Sequence, residues 1–83
     1  MPVRILKTSE YSKNFSELPE ADQDIINKIL DSFQRGERVN IIRLNKILWR
    51  LKVGHWRVFF LFEKDIVKLI SVDRRTTTTY RKR

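Results

Sequence analysis

The 83-residue chain has no cysteine, a single histidine, two glycines and two prolines. Without cysteine there is no disulfide framework, no thiolate zinc site and no cysteine nucleophile, and the composition suits a reducing cytoplasm. The lone His55 cannot build a metal site by itself, so neither a metal nor a cofactor is expected. Apolar runs fall well short of the ~20 residues needed to cross a bilayer, and no signal-peptide pattern opens the sequence. A cytoplasmic protein with no membrane partner is the expectation. Acidic residues are also scarce. Eighteen Lys and Arg face ten Asp and Glu, giving a formal charge of +8 and a pI near 10.3. The imbalance lies in the second half, where Glu63, Asp65 and Asp73 are the only acids after Ile42. Such a balance in a small domain points to a polyanionic partner: RNA, DNA or an acidic protein. The alternative is charge that only keeps the protein in solution.

What is present suffices for one compact domain over residues 1–83. Hydrophobic residues make up 41% of the chain, aromatics included, so disorder is expected only at the ends. Val3–Lys7 reads as a short first strand. Thr8 or Ser9 can cap a short helix carrying Tyr11, Phe15 and Leu18 inward, which Pro19 ends. A second helix is expected over Glu20–Arg35, with Ala21, Ile25, Ile26, Ile29, Leu30 and Phe33 as its apolar stripe and Gly36 as its stop. Residues 37–46 read as a connection in which Ile41, Ile42 and Leu44 anchor the chain against the core. Three strands follow, over Ile47–Val53, Trp56–Glu63 and Ile66–Asp73. The consecutive Phe59, Phe60, Leu61 and Phe62 imply that the middle strand is at least partly covered on both faces. The expected fold is α+β: a β-α-α-β-β-β order, with an antiparallel sheet and a helical hairpin packed on one side.

The most informative stretch is Leu48–Phe60, LWRLKVGHWRVFF. A two-residue turn at Gly54-His55 pairs Val53 with Trp56, Lys52 with Arg57, Leu51 with Val58 and Arg50 with Phe59. Lys52 and Arg57 then stand side by side on one face, with Arg50 two residues along. Like charges directly opposite each other destabilise a sheet, so the arrangement serves an anion rather than the fold. Trp49 and Trp56 are expected to cover core rather than nucleobases.

This stretch, together with LISVDRRTTTTY (Leu69–Tyr80), resembles the RelE/ParE superfamily of bacterial and archaeal toxins. There, a strand ending in basic residues turns into an aromatic-Arg-Val strand, and a later strand ends in a basic residue, an Arg and then a Tyr. The order of elements agrees too, including the short helix closed by Leu18-Pro19. RelE-like members are ribosome-dependent ribonucleases that cleave mRNA, whereas ParE-like members inhibit DNA gyrase. Carried over residue by residue, the resemblance implies Lys52, Arg57, Arg75 and Tyr80 as catalytic residues, without a metal. It implies RNA contacts at Arg50, Arg74, Arg81, Lys82 and Arg83, and at His55 unless that is a plain turn residue. Trp56 stands where the family usually has another aromatic, and His55 where it often has Asp. The implied partners are a cognate antitoxin, the ribosome and mRNA.

The chemistry fits these residue types. Attack of a ribose 2′-hydroxyl on the adjacent phosphate needs a base, an acid for the leaving oxygen, and cations for the charge growing on phosphorus. Arg57 and Arg75 can bind phosphate oxygens in bidentate fashion. Lys52 can act as base if Arg50 and Arg57 favour its neutral form. Tyr80 can either exchange a proton or stack on a base. The competing reading is a gyrase inhibitor that cleaves nothing and has no need for these four side chains to converge.

Overall fold

The computed structural model describes residues 3–74. Its elements are β1 (Arg4–Lys7), α1 (Ser9–Ser16), α2 (Glu20–Gln34), β2 (Ile41–Arg43), β3 (Leu48–Val53), β4 (Trp56–Glu63) and β5 (Ile66–Arg74). The five strands form one sheet in the order β1-β5-β4-β3-β2. The α+β class and the helical hairpin are as expected. Two features differ: a short strand, β2, lies within the stretch expected to be a connection, and the sheet is mixed because β1 runs parallel to β5. Ile41 of β2 packs against the core, but Ile42 and Leu44 are 47% and 43% exposed and anchor nothing there. Three residues are too few for alternation to announce a strand. β2 forms because the adjacent β3 offers it an edge.

Thr8 settles the start of α1. Its hydroxyl accepts from the Tyr11 amide at 3.2 Å and donates to the Leu69 carbonyl of β5 at 2.8 Å. One side chain thus caps a helix and holds the end of β1 on the sheet. Gln23 of α2 donates through Nε2 to the carbonyls of Phe15 and Leu18, satisfying the end of α1 and fixing the helical hairpin. At the end of α2 the Gly36 amide donates to Phe33 and the Glu37 amide to Ser32, with Gly36 at φ +83°. That is the left-handed glycine stop the sequence implies.

Both helices cover the same face of the sheet. The buried core comprises Tyr11, Ile26, Leu30 and Phe33 from the helices and Leu51, Val53, Val58, Phe60, Val67, Leu69 and Val72 from the strands. Ala21 and Ile25, expected in the apolar stripe of α2, are exposed instead. Phe60 sits at the centre, with the rings of Phe33, Trp49 and Phe62 around it at 5.5–6.4 Å between centroids. Trp49 and Trp56 pack against this core, as expected.

Tyr11 stacks on Phe15 and is 1% exposed, with no hydrogen-bond partner for its hydroxyl among the described residues. Burial pushes its pKa up to about 12. A phenol whose folded pKa exceeds its unfolded value of about 10 contributes stability below pH 10 that is lost as pH rises toward 12. Tyr11→Phe is therefore expected to flatten the alkaline unfolding curve in that window. At neutral pH it should leave stability unchanged or raise it by up to ~1 kcal/mol, since an unpaired buried hydroxyl is removed. Denaturant melts from pH 7 to 12 measure both.

Candidate nucleic-acid interface

The side of the sheet opposite the helices carries no other element among the described residues. The β3–β4 register is the one the turn length implies: Val53 with Trp56, Lys52 with Arg57, Leu51 with Val58, Arg50 with Phe59. Gly54 adopts φ +58° while His55 stays at negative φ, the pattern of a type II′ hairpin turn. A Cβ at Gly54 would meet nothing within 4 Å, so only backbone strain opposes a side chain there. Gly54→Ala is expected to cost about 1–2 kcal/mol, read as a lower denaturation midpoint at unchanged m-value.

Alternation sends Leu51, Val53, Val58 and Phe60 into the core and leaves Arg50, Lys52, Arg57 and Phe59 on the open face. Lys52 is exposed; Arg50 and Arg57 are half-buried. The Arg57 guanidinium lies over the Phe59 ring, 5.9 Å from its centroid, and Arg50 is the direct cross-strand neighbour of Phe59. Phe59 is thus half-buried with no helix above it. Among the described residues the buried Nε atoms of Arg50 and Arg57 find no hydrogen-bond partner, and the one ion pair, Arg35–Glu37, lies elsewhere. The opposed pair costs the sheet about 0.2–1 kcal/mol, and the unpartnered Nε donors add to that cost. Three cations held this way form a face suited to an anion.

The partner strand brings a residue that pattern reading missed. Counted outward from the Lys64-Asp65 turn, the β4–β5 ladder runs regularly from Glu63↔Ile66 to Phe60↔Leu69, then skips Ile70 so that Phe59 pairs with Ser71. This β-bulge moves Val72 into the core and sets Asp73 opposite Arg57. Without the extra residue Asp73 would face Trp56 on the helix side. One sequence signal was available: in VKLISVD, Val67, Leu69 and Val72 keep period two only if a residue is inserted after Leu69. The same shift pairs Arg74 with Trp56, turning it to the side away from Lys52 and Arg57. His55 lies in the turn, exposed, at the end of the cation row. Arg75, Tyr80, Arg81, Lys82 and Arg83 lie outside the described residues.

The cations stand on the open face of the sheet, apart from two depressions lined by described residues. A depression of about 440 Å³ lined by Leu61, Glu63, Lys64, Ile66 and Lys68 lies at the far end of the same face. Another of about 360 Å³, lined by Val3, Phe33, Val39 and Phe62 among others, opens near the end of α2. Neither includes Arg50, Lys52 or Arg57. A row of cations along neighbouring strands suits a polyanion laid across it.

No family model matches the chain, and no curated protein does either. Solved structures do. A chain of the archaeal RelE–RelB complex from Pyrococcus horikoshii OT3 superposes with a TM-score of 0.74 at 20% identity, covering 93% of this chain and 99% of that one. A chain of the toxin–antitoxin complex RelBE2 from Mycobacterium tuberculosis gives 0.76 at 17% identity, covering 90% and 100%. The YoeB dimer from Staphylococcus aureus gives 0.67 at 11% identity, covering 92% and 100%. The chain has the RelE-like fold that the sequence resemblance implies.

Proposed function

We propose that this protein is the toxin of a type II toxin–antitoxin pair and that it cuts mRNA on the ribosome, in the cytoplasm. The observation that carries the reading is the row of Arg50, Lys52 and Arg57 on the open face of a RelE-like fold, with no ion pair among the described residues. Two cations opposed across a hairpin cost the sheet stability, and a phosphate bound between them at a reacting centre gains from both. Arg57 binds the scissile phosphate, with Arg50 on the neighbouring one and Lys52 beside the reacting oxygens. Arg75 and Tyr80, outside the described residues, are assigned a second phosphate contact and proton transfer or base stacking. Arg74, Arg81, Lys82 and Arg83 add charge for the RNA backbone at longer range. The partner is an antitoxin whose acidic groups cover the basic face, in keeping with the +8 charge and with the complexes in which chains of this fold are found.

In vitro translation on ribosomes programmed with a defined mRNA tests the reading. Cuts mapping to the ribosome-bound codon, dependent on both ribosome and protein, are expected. Uncut mRNA together with loss of gyrase supercoiling in a parallel assay would instead identify a gyrase inhibitor.

A further inference from the structure

Lys52, Arg57 and Asp73 stand in one row across β3, β4 and β5, each the direct cross-strand partner of the next. Neighbouring strands lie about 4.8 Å apart, so the row spans roughly 10 Å with the arginine in the middle. Glu63, the other β-strand carboxylate on this face, is six residues further along β4, about 20 Å away at strand rise. Asp73 and Arg57 form no ion pair, since the guanidinium lies over Phe59. A carboxylate and two cations are therefore presented together without neutralising one another. The bulge at Phe59/Phe60 is what puts the carboxylate on this face, and bulges commonly re-aim a side chain beside a reactive site.

We propose that Asp73 is the general base of the cleavage and Lys52 its general acid, a division of labour that rests on the nuclease reading above. Displacement at phosphorus is in line: the attacking 2′-oxygen and the departing 5′-oxygen lie on opposite sides of the phosphorus. A phosphate bound by Arg57 therefore needs a proton acceptor on one side and a donor on the other, which is the order of the row. The Asp73 carboxylate takes the 2′-hydroxyl proton as the 2′-O–P bond forms. The P–O5′ bond breaks, and the leaving oxygen takes a proton from the Lys52 ammonium. The products are a 2′,3′-cyclic phosphate and a 5′-hydroxyl, and solvent returns the proton from Asp73 to Lys52. Lys52, read from the sequence as the base, becomes the donor because a carboxylate stands across from it.

The test uses programmed ribosomes and two mRNAs, one ordinary and one with sulfur replacing the bridging 5′-oxygen at the cut. A thiolate leaves without needing a proton. If wild-type protein cuts neither mRNA, the nuclease reading itself falls. If it cuts, Asp73→Asn is expected to be slower on both mRNAs by more than tenfold, on the order of 10²-fold or beyond. Lys52→Met should be comparably slow on ordinary mRNA and restored toward the wild-type rate by sulfur. An Asp73→Asn rate within tenfold of wild type, or one restored by sulfur, overturns Asp73 as base. A Lys52→Met rate that sulfur leaves unchanged overturns Lys52 as acid. Asp73→Ser, smaller and also uncharged, provides the same comparison should the amide perturb folding of β5.

Discussion

Arg57→Ala is expected to abolish growth arrest on induced expression while leaving the protein folded at nearly its original stability. The side chain is a half-buried strand residue on the open face, with no ion pair and no partner for its Nε among the described residues. Truncating it gives up the contact with Phe59, worth about 0.5–1 kcal/mol at a partly exposed site. It also removes the repulsion with Lys52, of about 0.2–1 kcal/mol. The two nearly cancel, so the thermal midpoint should move by no more than a few degrees. Catalysis has no such compensation. Loss of one preorganised charge at a reacting centre costs about 10²–10³ in rate, enough to turn lethal expression into normal colony formation. Arg57→Lys keeps the charge but not the planar fork, and should fall between the two. Arg75→Ala, outside the described residues, is expected to relieve arrest similarly. Undiminished arrest in the Arg57→Ala, Arg75→Ala double variant would remove both arginines from the proposed site.

The second large effect concerns the fold itself. Phe60 is fully buried and surrounded by Phe33, Trp49 and Phe62. Phe60→Ala deletes the hub of this aromatic cluster and is expected to cost about 3–5 kcal/mol. Proteins of this size hold on the order of 4–12 kcal/mol in total, so the variant should be largely unfolded at 37 °C or close to it. Loss of cooperative melting, with loss of toxicity, is the expected pair of results. Phe59→Ala, one residue away but on the open face, should keep the cooperative transition. The contrast between adjacent phenylalanines tests the assignment of the two faces.

Much of this arrangement was legible in the residues. The hairpin register follows from turn length alone, and with it the juxtaposition of Lys52 and Arg57. Helix positions follow from Pro19, Gly36 and the 3.6-residue period. What the sequence concealed lies where a local rule is overridden by a neighbour. Ile42 and Leu44 look like core residues because they are apolar, but Ile42 is the outward position of a three-residue edge strand and Leu44 lies just past its end. Ile25 belongs to the apolar stripe by spacing, yet it is half exposed to solvent. Asp73 was hidden by the bulge: strict alternation from the Lys64-Asp65 turn puts it on the wrong face. Arg74, adjacent to it and basic, pairs with Trp56 and so stands on the other side of the sheet from Arg57 and Asp73.

The parallel pairing of β1 with β5 joins the first strand of the chain to the last of the described strands, and Thr8 bonds to Leu69 across the same junction. Loop closure over such a separation is entropically costly and comes late in folding. During synthesis β1 has no sheet partner until β5 has left the ribosome, and Asp73 is absent from the open face until then. A growing chain therefore carries Lys52 and Arg57 well before it carries the completed row.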